Sequence, residues 1–278
     1  MSYISVSTWS LHRLLGPLRW TVWNEASGTH ETHIQEQPLV HTLLELPAEA
    51  ARRGYAAVEI GHFHFPSTEA DYLDRLRAAF TAAGVSLDTL LLDYGDLTSS
   101  DERRAAADLA LAKQWIDVAA ACGAKRIRII AGEALPTDED AIRQSASALG
   151  KLADYGKIKN VRVITENFKP LTSTGTSSLR LLEQTGWEIG FITDFGNFEG
   201  AAKYEDIALL SPHSVSLHAK AHYDEAGLPE EAEFRRCLEA SRRSGFDGAY
   251  VLIYDGPGDM WEGLERIKRI VEPITASL

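Results

Sequence analysis

Three residues with complementary chemistry recur in this sequence at nearly one spacing. Glu166 closes the apolar run in ITENF, Asp194 closes the run in ITDFGNF, and His218 lies within SLHAKAH. They stand 28 and 24 residues apart, each interval about the length of one strand–helix unit. Equivalent positions on three consecutive strands would bring the side chains together. Two carboxylates and an imidazole form a mixed oxygen and nitrogen donor set. That set suits Mn²⁺, Mg²⁺, Zn²⁺ or Co²⁺, and no thiolate narrows the choice. Without a cation, two buried carboxylates so close together would cost several kcal/mol or force one to protonate. Taken singly, each residue has a plainer use: a carboxylate ending a strand caps the next helix, and a lone histidine bonds a carbonyl. The shared register of all three makes the cluster the stronger reading.

Other polar residues fall near strand ends. His62 and His64 flank Phe63 after the second predicted strand, and His62 is a candidate substrate contact. Arg128 lies inside the fourth strand, where a charge needs a partner. It either binds a hydroxyl-rich or anionic substrate or pairs with Glu59 or Glu166. Lys220 follows His218 by two residues and so shares its face. It is a candidate catalytic group that polarises a substrate oxygen, or else a partner of Asp194. Asn197 and Trp9 complete the candidate substrate contacts, Trp9 by stacking on a sugar face or by packing at the rim. The GPGD run at Gly256–Asp259 precedes the last helix. With two acids and no cation near it, it reads as a tight turn with an N-cap and not as a phosphate site.

The elements that must position these residues are legible as short apolar runs alternating with longer amphipathic ones. Strands are expected near Tyr3–Thr8, Ala56–Gly61, Ser86–Leu92, Arg126–Ala131, Val161–Glu166, Glu188–Asp194, Ser214–His218 and Ala249–Ile253. Helices are expected over Leu39–Arg53, Ser100–Cys122, Asp138–Tyr155 and Met260–Val271, with Asp138 and Asp259 placed as N-caps. Eight strands, each followed by a helical segment, predict a single α/β domain over residues 1–278, a (β/α)8 TIM barrel. A doubly wound open sheet is the alternative. It often shows a phosphate loop after its first strand, and STWSLHRLLG is not one. Residues 9–38 are long for a loop in such a domain. They are expected to form a lid over the barrel mouth, or else a structural hairpin or an oligomer contact.

The chain has 278 residues, 45% hydrophobic and 24% charged, with a net charge of −12. That charge repels a polyanion, so nucleic acid is not an expected partner. No run approaches the roughly 18 apolar residues that a membrane span needs, and MSYISVSTWS does not read as a signal peptide. The two cysteines, Cys122 and Cys237, sit in amphipathic segments with no metal or redox spacing. A cytoplasmic protein is expected, and a homo-oligomer is compatible with the sequence.

In order and spacing these motifs resemble the xylose isomerase-like TIM barrel family of sugar phosphate isomerases and epimerases, which also takes in hydroxypyruvate isomerase and inosose dehydratase. The resemblance runs nearly end to end through ISVSTWSL, GYAAVEIG, RIRIIAGE, ITENF, ITDFGNF and SLHAKAH. It implies a divalent metal held by Glu166, Asp194 and His218. It also implies a fourth ligand, a Glu ending the eighth strand, but there this chain reads Ile253-Tyr254-Asp255. Asp255 is the nearest acid. Ala221 stands where an Asp often follows the strand-seven Lys, and Asn197 where a His is frequent. The family's epimerases use two glutamates on opposite faces of the substrate, and here only Glu166 remains. A one-base reaction is compatible with that: proton abstraction next to a carbonyl by Glu166, in a small sugar, sugar phosphate or polyol derivative. The alternatives are a metal-free, sugar-binding member of the same fold and an endonuclease-type phosphodiesterase. The acidic charge and the short ligand set disfavour the second.

Overall fold

The structure, a computed structural model, describes residues 2–275. In chain order its strands are β1 (Tyr3–Ser7), β2 (Leu18–Asn24), β3 (Thr29–Gln35), β4 (Ala57–Gly61), β5 (Ser86–Leu92), β6 (Arg126–Ile129), β7 (Arg162–Glu166), β8 (Gly190–Asp194), β9 (Ser214–Lys220) and β10 (Ala249–Ile253). All but β2 and β3 are parallel and close into a barrel in the order β1-β10-β9-β8-β7-β6-β5-β4. The helices are α1 (Leu46–Arg52), α2 (Ala70–Ala83), α3 (Glu102–Cys122), α4 (Glu139–Lys159), α5 (Gly175–Gln184), α6 (Lys203–Leu210), α7 (Glu231–Arg243) and α8 (Met260–Thr275). The (β/α)8 expectation is met. Among the described residues no helix is long and apolar enough to cross a membrane.

Period-two alternation sorts the strand residues. Val58, Ile60, Val163, Phe191, Leu217 and Leu252 face outward and join the main apolar cluster against the helices. The residues between them point into the lumen. Leu91, Ile164 and Ile192 form one small apolar cluster there, and Ala249, Val251 and Ile253 form another. Ile164 and Ile192 each precede a candidate ligand by two residues, so an apolar layer underlies the polar one. Asp194 stands beside His218, and His218 beside Val251, in the parallel register. Asp194 and His218 are thus side by side, while Glu166 stands opposite Ile192, two residues before Asp194.

The helix ends follow local chemistry. Asp138 caps α4, its Oδ1 accepting from Ala141 N at 2.9 Å, and Asp259 Oδ1 accepts from Glu262 N at 2.9 Å at the start of α8. Helix α4 outruns its expected end and stops where Asn160 turns left-handed at φ 57°. Helix α1 is shorter than expected. Thr42 and Glu45 bond each other reciprocally, with Thr42 N and Oγ1 2.8 and 2.9 Å from Glu45 Oε2. Together with Pro47 in the first turn, this delays the helix to Leu46.

Residues 9–38 are not an open loop. Strands β2 and β3 pair antiparallel from Leu18↔Gln35 to Asn24↔Thr29. Asn24 Oδ1 holds the turn by accepting from Ala26 N and Ser27 N. The hairpin lies against the turn His62–His64: Trp20 packs on Phe63 at 4.5 Å between ring centres, and Thr21 Oγ1 lies 3.2 Å from His62 Nε2. His30 Nε2 reaches buried Asp108 on α3 at 2.7 Å.

Burial lowers the pKa of His62 to about 4 and of His64 to about 3, from an ordinary 6.5. Both stay neutral in the fold and take up protons once unfolded, so the stability they confer is full above pH 6.5 and falls as the pH drops toward 4. Each contributes a slope of about 1.4 kcal/mol per pH unit across that window. Urea melts from pH 7 to 4.5 check this: His64→Gln should remove about one histidine's share of the slope.

Candidate active site

The mouth of the barrel at the C-terminal strand ends opens into a cavity of about 270 Å³. Glu166, Asp194 and His218 lie in its floor, all nearly inaccessible to solvent. One ligand atom from each lies within 4.8 Å of the others. His218 Nδ1 is 3.2 Å from Glu166 Oε1 and 3.4 Å from Asp194 Oδ2. Adjacent ligands of a cation at about 2.0–2.2 Å would sit roughly 3.0–3.5 Å apart, so the two separations from His218 Nδ1 match edges of a coordination shell. Glu166 Oε2 is buried and accepts no hydrogen bond. It lies 2.9 Å from Arg128 Nε, a close ionic approach without hydrogen-bond alignment. The donor set and its spacing fit a divalent cation.

The electrostatics rest on alternating charge. Burial alone would strip the proton from His218, but Glu166 and Glu59 outweigh it and hold the imidazole well above its ordinary range. Burial likewise opposes ionisation of Asp194, yet His218, Lys220 and the Gly196 N–H keep it below the usual carboxylate range. Arg128 is wholly buried between Asp93 and Glu166, and its Nη1 donates to Leu92 O at 3.1 Å. Of the partners expected for Arg128, the structure selects Glu166 and adds Asp93. Glu59 instead takes His218, its Oε2 lying 2.8 Å from Nε2.

Trp9, Asn197 and Lys220 also line the cavity. Asn197 Nδ2 donates to Glu166 Oε1 at 3.3 Å. Lys220 pairs with Asp255 at 2.7 Å, not with Asp194. That pairing also decides the eighth strand. Ile253 forms cavity wall beside Lys220. Tyr254 is buried, its hydroxyl donating to Pro257 O. Asp255 is held by the ammonium, so no carboxylate of β10 joins the cluster.

His62 does not line the cavity: its Nδ1 accepts from Asp93 N at 3.1 Å and its Nε2 faces Thr21 Oγ1. Both nitrogens serve to join the hairpin to the barrel, because the second strand ends in a turn that folds under β2. Sequence reasoning also missed contributors. Trp20 arrives on the hairpin and Phe168 follows β7, and with Trp9 they give the cavity aromatic walls. Glu59 was legible as an acid between Val58 and Ile60 on a strand of outward apolar residues, a parity that aims it into the lumen. Its partner across the barrel was not legible.

Fold and site together define a (β/α)8 barrel protein with a polar cluster at its mouth. A sequence profile described as xylose isomerase-like TIM barrel matches residues 47–270, and the chain belongs to that family. Among solved structures it is similar to an L-ribulose 3-epimerase, with a TM-score of 0.73 and 15% identity over 100% of this chain and 95% of that one. The IOLI protein with a bound zinc atom gives a TM-score of 0.71 and 14% identity over 99% and 98%. A xylose isomerase-like TIM barrel protein from Mycobacterium smegmatis in complex with magnesium gives 0.67 and 15% over 99% and 97%. No curated protein sequence matches this one.

The two cationic lining residues should separate by stability. Arg128→Met leaves buried acids uncompensated and should cost roughly 3–5 kcal/mol. Lys220→Met breaks a partly exposed pair and should cost within about 1 kcal/mol. Urea denaturation at pH 7 distinguishes them.

Proposed function

We propose that this protein is a divalent-metal-assisted isomerase or epimerase acting on a small sugar or polyol derivative by proton transfer next to a carbonyl. The observation that carries this reading is the buried Glu166–Asp194–His218 cluster, spaced as coordination edges in the floor of an aromatic-walled cavity. The similarity to an L-ribulose 3-epimerase, and to structures described with zinc and with magnesium, supports it.

Glu166, Asp194 and His218 Nδ1 would hold the cation. When bound, it would polarise a substrate carbonyl and neighbouring hydroxyl and so acidify the C–H of the hydroxyl-bearing carbon. Glu166 is the general base. Its Oε1 faces the cluster, while its Oε2, ion-paired with Arg128 but accepting no aligned hydrogen bond, takes the proton. Arg128 and Asn197 fix that carboxylate from two sides. Lys220, steadied by Asp255, donates to a substrate oxygen from the opposite wall. Trp9, Trp20 and Phe168 stack on the apolar face of the sugar and exclude water, and the β2–β3 hairpin serves as a lid over the mouth. With β10 supplying no second carboxylate, one base lifts the proton from the hydroxyl-bearing carbon and returns it on the same face to the former carbonyl carbon, while the hydroxyl proton passes to the former carbonyl oxygen. This favours an aldose–ketose shift over a two-carboxylate epimerisation.

Ile253 in the cavity wall favours a second reading, a sugar-binding protein without turnover. Incubation with free ketoses and aldoses in D₂O with Mn²⁺, followed by NMR, separates the two. The proposal expects deuterium beside the carbonyl of at least one sugar, with Glu166→Gln slowing its entry by roughly 10²–10⁴-fold. Saturable sugar binding with no exchange for any sugar would support the second reading and overturn the first.

A further inference from the structure

Glu59 is an acid in the middle of β4, 1% exposed, on the far side of the lumen from β9. A buried carboxylate is tolerated only when it is paired. Its Oε2 meets His218 Nε2 at 2.8 Å, across 159 residues of chain. Its register neighbours are Ser7 and Thr89, both small, so nothing bulky beside it obstructs the crossing.

The consequence lies at the other ring nitrogen. Carboxylates face both nitrogens, Glu59 at Nε2 and Glu166 with Asp194 at Nδ1, 3.2 and 3.4 Å away. A cation held by Glu166 and Asp194 would take the place of a proton at Nδ1, and a ring that offers its lone pair there keeps its one N–H at Nε2, where Glu59 can only accept it. We infer that Glu59 is a positioning residue: it fixes the tautomer and the orientation of His218, and it thereby sets how tightly the cluster holds a divalent cation. A carboxylate behind a metal-bound histidine typically contributes 10–100-fold in affinity. This inference rests on the reading of the cluster as a metal site.

The test uses the full chain and zinc ion, titrated against a chromophoric chelator, for wild type, Glu59→Gln and Glu59→Leu. Glutamine keeps an acceptor but loses the charge, and leucine loses both. The expected order of affinity is wild type, then glutamine, then leucine, with the leucine variant weaker by roughly 10–100-fold. ¹⁵N-edited NMR of the zinc-loaded wild type should show His218 protonated at Nε2. Melting of the metal-free variants reports any purely structural loss, which would leave the zinc-induced rise in melting temperature unchanged. If the leucine variant fails to fold, the glutamine variant alone decides. Wild type that binds no zinc overturns both this inference and the metal reading. Wild type that binds zinc, with the variants unchanged to within about threefold, or a His218 protonated at Nδ1, overturns the positioning role alone.

Discussion

Charge compensation inside a closed barrel governs the organisation of this site. The lumen is screened from water, so each ionised group placed there must meet an opposite charge or forfeit several kcal/mol. Glu59, His218, Glu166, Arg128 and Asp93 answer that demand as a chain of alternating sign across the barrel, each within contact of the next. Asp194 joins it through His218. The chain is possible because β6, β7, β8 and β9 are consecutive parallel strands whose inward positions step from Arg128 to Glu166 to Asp194 and His218, beside the apolar Ile164 and Ile192. The polar site and the barrel core are thus consecutive layers of the same strands.

Local signals made much of this readable before any coordinates. Strand alternation, the N-caps at Asp138 and Asp259, and the even spacing of Glu166, Asp194 and His218 are written within a few residues of each position. What stayed hidden depends on contacts distant in sequence. The partner of Glu59 is 159 residues away. His62 looked like a mouth residue because it follows a strand, yet the hairpin's Thr21 meets one of its nitrogens and the Asp93 N–H after β5 takes the other. The hairpin itself was a stated alternative to an open lid. Its alternation is weak because β3 is exposed along most of its length and carries little apolar pattern.

The eighth strand shows how one position redirects a site. The resemblance implied a fourth acidic ligand, and Ile253 stands there as wall. Asp255 lines the cavity too but is paired with Lys220, which stands beside Ile253 in register. The side of the cavity opposite Glu166 therefore carries an ammonium–carboxylate pair where a second base would otherwise stand. A cation bound by only three side chains keeps more positions for solvent or substrate oxygens, and it is held less tightly.

Anomalous diffraction from crystals soaked in manganese tests this account most directly. It predicts one ion within bonding distance of Glu166, Asp194 and His218 Nδ1, with no ligand from β10 and with Glu59 still bonded to His218 Nε2. An ion coordinated by Asp255, or saturating manganese with no ion at the cluster, would contradict it.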